Sequence, residues 1–85
     1  MPKSVFSEAY GILLDELVRA RKNAGVTQVQ LAERLGRPQP FVSYFERGER
    51  RVDLVEFVAI ARALNVDPIE LFSRIAIRLP AKIVI

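Results

Sequence analysis

Three glycines, Gly25, Gly36 and Gly48, each close an apolar segment of helical spacing, and capping-box patterns open three of the segments that follow. That punctuation allows only short helices joined by tight turns. The first helix is predicted from about Ser7 to Ala24, where Tyr10, Leu13, Leu14, Leu17, Ala20 and Ala24 share a face and Gly25 supplies the stop. In "TQVQ", Thr27 caps a second helix and Gln30 reaches back to it, while Val29, Leu31, Ala32 and Leu35 form its apolar side as far as Gly36. A third helix is expected between about Gln39 and Arg47. Val42 and Phe45 point one way in it, and Pro40, Ser43, Tyr44 and Arg47 the other. "DLVE" repeats the box with Asp53 and Glu56 and opens a fourth helix to about Leu64. "NVDPIE" ends that helix at Asn65 and starts a fifth, with Asp67 as cap, Pro68 at the first helical position, Glu70 closing the box and Leu71, Phe72 and Ile75 inside. The chain is therefore an all-α domain.

With 85 residues the chain has room for one domain, and 51% hydrophobic residues are many for a chain that buries only roughly 60–65% of its unfolded surface. Some of that surface is expected to be hidden against a second copy. Cysteine and histidine are absent, which removes disulfides, thiolate metal sites and the commonest general base. No apolar run approaches the roughly 18 residues of a membrane span, and "MPKSVFSEAYG" lacks a signal-peptide core. A soluble, bacterial-type cytoplasmic protein is expected, with no cofactor, metal or small-molecule ligand implied. An enzyme is disfavoured, because there is also no phosphate-cradling glycine loop and no evident pair of carboxylates.

The charge is unevenly placed. Residues 34–51 hold Arg34, Arg37, Arg47, Arg50 and Arg51 against Glu46 and Glu49, which matches the whole chain's net charge of +3. Residues 52–75 are net acidic. A basic patch on a nearly balanced body points to a polyanion on one face; on charge alone, a solvated arginine surface is the alternative.

The end of the chain, "AIRLPAKIVI", breaks the pattern. Residues 1–75 are expected to form the helical domain and 76–85 an apolar tail. Two readings of the tail stand: it folds back over the monomer core, or it forms a strand or arm against a second copy through Ile77, Leu79, Ile83, Val84 and Ile85.

Two helices joined by a short glycine-containing turn have the geometry of a helix-turn-helix unit. "TQVQLAERLGRPQPFVSYFERGERR" resembles that unit in phage repressors and Cro-type regulators, the xenobiotic-response-element-like family. Thr27, Gln28, Leu31, Ala32, Leu35, Gly36, Gln39, Val42, Ser43, Glu46 and Gly48 carry the likeness. "LVEFVAIARALNVDPIELF" resembles the family's fourth and fifth helices, so the likeness spans roughly residues 8–75.

The resemblance implies a compact five-helix lambda-repressor-like domain that places its third helix in the major groove of DNA. It assigns base reading to Gln39, Pro40, Ser43 and Tyr44, and phosphate binding to Gln28, Arg37, Arg47, Arg50 and Arg51. Gln39 can grip adenine through its carboxamide. Each residue also has a plainer reading: Gln39 as a cap, Ser43 facing solvent, Tyr44 lying over Phe41, the arginines as solvated charge. Glu46 would be repelled by phosphates; it is turned inward and matches a family position paired with Arg21, so a partly buried Arg21–Glu46 bridge is expected.

The sequence departs from the family where Pro38 and Pro40 replace small polar residues. Gln39 is then expected as the cap, with Pro40 at the first helical position and the helix starting one residue late. The leading function is a repressor-like, sequence-specific transcription regulator, a homodimer on a palindromic operator. The alternative is an adaptor or antitoxin-like module that binds a partner chain through the apolar tail.

Overall fold

Serine, threonine and aspartate caps set where the helices begin. The computed structural model describes residues 7–84 and contains α1 (Glu8–Asn23), α2 (Gln28–Leu35), α3 (Gln39–Glu46), α4 (Leu54–Ala63) and α5 (Pro68–Arg78). Ser7 Oγ accepts from the Tyr10 N–H at 3.1 Å to open α1. Two of the three expected capping boxes are closed; at α5, where Pro68 takes the first position, Asp67 Oδ1 accepts from the Ile69 N–H at 2.9 Å and forms no box with Glu70. Thr27 Oγ1 accepts from the Gln30 N–H at 3.0 Å while Gln30 Oε1 accepts from the Thr27 N–H at 2.9 Å. Asp53 and Glu56 exchange the equivalent bonds at 2.7 and 3.0 Å. Each box satisfies N–H groups that a helix start leaves without an intrahelical acceptor.

The helix ends share one device. After α1 the Val26 N–H reaches the Arg21 carbonyl and the Gly25 N–H reaches that of Lys22, the bond pair of a Schellman stop. The same pair follows α2, α3 and α4. It requires a left-handed residue, which Gly36 supplies in the turn between α2 and α3 at φ 68° without the crowding a Cβ would bring. Asn65 occupies that region at φ 60°, as a short polar side chain can.

Each helix sends a fully buried side chain into one core: Leu17, Leu31, Val42 and Phe45, Ile60, and Leu71. α2 and α3 form the tightest pair, while α5 packs on α1 and α4. Arg34 Nη1 on α2 donates to the Ala63 carbonyl at 2.8 Å, placing positive charge where the last carbonyls of α4 lack partners. Val42 and Phe45 anchor the inner side of α3, and its outer side is left to solvent.

α5 runs through Arg78, three residues beyond the expected boundary at 75/76. Arg78 Nη1 donates to Asp15 Oδ2 at 2.8 Å and Glu16 Oε2 at 2.7 Å, which fastens this last turn to α1. Leu79 then turns extended, as a residue before proline tends to. Residues 79–84 form no strand, and no described residue does. Leu79 is half-buried against the core, and with Ile83 it lines an apolar groove of about 350 Å³ beside Tyr10, Leu13, Phe57 and Phe72. Ile77, on α5, and Val84 face solvent. Ile85 lies outside the described residues. Of these tail residues Leu79 alone packs against the core, and Ile83 is 44% exposed.

Removing one box tests the role of the caps. Thr27→Ala is expected to lower stability by about 1 kcal/mol, and the melting temperature by roughly 4–8 °C for a domain of this size. An unchanged melting temperature by circular dichroism would contradict it.

Candidate nucleic-acid interface

The start of α3 is where two prolines meet a helix. Pro38, at φ −64° and ψ 151°, is the cap residue, and its carbonyl accepts from the Phe41 N–H at 3.0 Å. Gln39 is the first helical residue, so the helix begins one residue earlier than the sequence suggests and Gln39 is not its cap. Pro40 falls in the first turn, where a missing N–H forfeits no intrahelical bond. No side chain caps this end.

Behind it lies a continuous polar chain. Arg21 Nη1 donates to the Val26 carbonyl at 2.9 Å, while its Nε and Nη2 grip Glu46 Oε2 and Oε1 at 2.6 and 3.0 Å. The two side chains are only 11% and 7% exposed. Glu46 Oε1 also accepts from Gln28 Nε2 at 2.9 Å, and Gln28 Oε1 accepts from Gln39 Nε2 at 3.2 Å. The carboxylate can only accept, so it turns the Gln28 amide nitrogen inward and its oxygen outward. That oxygen in turn takes one N–H of Gln39. The other N–H and the carbonyl oxygen of Gln39 remain at the exposed amino end of α3, a donor beside an acceptor.

Along the outer side of α3, the Ser43 hydroxyl donates to the Pro40 carbonyl and accepts from Arg47 Nη1, both at 3.4 Å. Tyr44 is half exposed, with the Arg47 guanidinium 5.4 Å from its ring centroid. Arg47 also pairs with Glu49 through two bonds of 3.1 Å, and this half-exposed pair raises the arginine's pKa and lowers that of the glutamate. Arg37 is exposed, its guanidinium 4.6 Å from the Phe41 ring centroid. Arg51 lies over Tyr10 at 4.5 Å, and the Tyr10 hydroxyl accepts from the Val52 N–H at 2.8 Å.

Arg50 differs from its neighbours. Its Nη1 donates to the Arg51 carbonyl at 2.8 Å and to Glu56 Oε1 at 3.0 Å, and its Nη2 donates to Glu56 Oε2 at 2.9 Å. The hydrogen bonds to Arg50 hold the Glu56 carboxyl below its ordinary pKa. The structure therefore brings Gln28, Gln39, Ser43, Tyr44 and Arg47 onto or beside one side of α3, and commits Arg50 to an internal partner. Sequence reasoning missed this bond because "DLVE" already gives Glu56 a role as a cap. It also missed that Phe41 is buried.

Residues 17–71 match the helix-turn-helix family. A curated relative, the uncharacterized HTH-type transcriptional regulator y4dJ of Sinorhizobium fredii, is 36% identical over 55 residues, 65% of this chain and 71% of the relative. An XRE-family like protein from Pseudomonas syringae pv. tomato superposes with a TM-score of 0.81 at 48% identity, over 86% of this chain and 89% of that one. The restriction-modification controller protein C.AhdI from Aeromonas hydrophila gives 0.64 at 36% identity, over 72% and 92% of the two chains. ClgR, the clp gene regulator of C. glutamicum, gives 0.74 over 87% and 96%, but its 23% identity makes this a likeness of fold alone. Among the described residues no helix is long and apolar enough to cross a membrane.

Glu46→Gln places an amide donor against the donors of Arg21 and Gln28. Breaking a buried pair this way is expected to remove about 3 kcal/mol of stability, read from urea denaturation. A midpoint equal to that of the parent chain would show that the pair contributes little.

Proposed function

The chain belongs to the helix-turn-helix family of Cro- and phage-repressor-like transcriptional regulators and is a DNA-binding regulator; from that premise we propose that it is a homodimeric, sequence-specific repressor acting on a palindromic operator. α3 enters the major groove with its amino end foremost. One observation carries this reading: the exposed amide edge of Gln39, held in orientation at the start of α3 by Gln28 and the Glu46 carboxylate. An amide so presented matches the N6 and N7 atoms of adenine. Ser43 and Tyr44 follow on the same side, and Pro40 offers an apolar surface to a thymine methyl. The amino end of α2, at Gln28, serves a backbone phosphate, helped by the helix dipole. Arg37, Arg47 and Arg51 neutralise phosphates around them.

A second copy is supported by surface that a lone domain leaves wet. Ile69 and Phe72 on α5 and Leu54 and Val55 at the start of α4 are all more than half exposed. Ile77 and Val84 add to this apolar surface. Two copies would present their reading helices to half-sites about 10 bp apart, one turn of DNA. The chain would act in the cytoplasm, alongside the DNA it regulates.

Selecting duplexes from a random-sequence pool tests this directly. The expected product is a palindrome bound by two chains, with affinity that falls steeply as salt rises because phosphate contacts release counterions. Arg47→Ala should reduce the slope of log affinity against log salt by about 1. Weak, sequence-blind binding together with stable capture of another protein would replace this reading with the adaptor.

A further inference from the structure

Phe41 leaves the first turn of α3, and two guanidinium groups approach its ring, Arg37 at 4.6 Å and Arg50 at 4.7 Å from the centroid. The ring is 9% exposed and meets the edge of Phe45 at 5.7 Å between centroids. Arg50 also grips both oxygens of Glu56, the residue that closes the cap of α4 by accepting from the Asp53 N–H. α3 packs on α1 and α2 but makes little direct contact with α4. The Phe41–Arg50–Glu56 stack therefore adds a link between two helices whose backbones make few close approaches.

We propose that Arg50 is a positioning residue: its two-pronged bond to Glu56 holds the outer edge of α3, through Phe41, against the first turn of α4, and it makes no phosphate contact. The proposal rests on the DNA-binding reading above and narrows its set of phosphate contacts. To reach a phosphate, Arg50 would exchange two charge-assisted bonds for others of the same kind and leave the Glu56 carboxylate facing the DNA. Arg47 forms a similar fork with Glu49, but that pair is the more solvated of the two. Its pair with Glu49 is 53% and 57% exposed, against 38% and 22% for Arg50 and Glu56.

The test uses the full chain, the duplex that the parent chain selects from a random pool, and three variants. Glu56→Gln keeps the oxygen that accepts from Asp53 but gives up the charge, and Arg50→Lys keeps the charge but gives up the fork. Arg50→Ala removes both. Each is expected to weaken binding about 5-fold, leave the salt slope unchanged and speed amide exchange across residues 41–46. The Glu56→Gln result is the sharpest, since removing an acid near DNA would by simple electrostatics tighten binding. The proposal is overturned if Arg50→Ala lowers the salt slope by about 1 while Glu56→Gln binds as well as, or better than, the parent. Parent-like affinity in Arg50→Lys overturns it equally. If the parent chain binds no duplex, the DNA reading fails on its own and amide exchange decides: faster exchange in Arg50→Lys and Glu56→Gln upholds the positioning role, and unchanged exchange removes it.

Discussion

A buried ion pair, Arg21 with Glu46, is the interaction on which the outward surface of α3 depends. Burying two charges is unfavourable unless nearly every donor and acceptor is met. Here Arg21 serves both oxygens of Glu46 and the Val26 carbonyl, and Gln28 supplies a further donor to the carboxylate. Among the described residues no buried side-chain nitrogen or oxygen lacks a partner. The pair joins the end of α1, the turn after it, the start of α2 and the end of α3. Its negative member also fixes which way the Gln28 amide faces, and so which atoms of Gln39 are offered outward. A structural charge thereby sets the chemistry of a surface.

Short helices set the second condition. Helices of 8 residues such as α2 and α3 do not persist alone in water. Their starts depend on caps, their ends on left-handed residues, and their inner sides on Val42, Phe45 and Leu31. α3 is the exception, with no side-chain cap and a proline in its first turn. It is held by packing, by the polar chain behind it and by the Phe41–Arg50 stack beside it. What this arrangement leaves open is the amino end of α3, the end directed at the groove in the proposed complex.

How much of this could be read from the residues varies with the range of the physics involved. Capping and chain reversal are local, so Thr27, Asp53, Gly25 and Gly36 marked their helices correctly. The Arg21–Glu46 contact spans 25 positions; an acid inside a basic segment demanded an inward partner, but Arg21 was named only by the resemblance to the family. The start of α3 went wrong by one residue because two prolines left two registers open, and the Phe41 N–H bond to the Pro38 carbonyl decides between them. Arg50 looked like its arginine neighbours because charge says nothing of which carboxylate is near. The end of α5 was set short because Arg78 finds Asp15 and Glu16 across more than 60 positions, a contact no local pattern announces.

The central claim is that Gln39 is presented to DNA through Gln28 and Glu46 rather than independently. A double-mutant cycle on the selected duplex and on the same duplex changed at the base pair Gln39 reads tests it most directly. Gln28→Ala is predicted to erode discrimination between the two duplexes nearly as far as Gln39→Ala does. The double variant should lose little more, which is a coupling of about 1 kcal/mol or greater. Losses that simply add, within about 0.5 kcal/mol, would mean that Gln39 finds its base without help and would contradict the account.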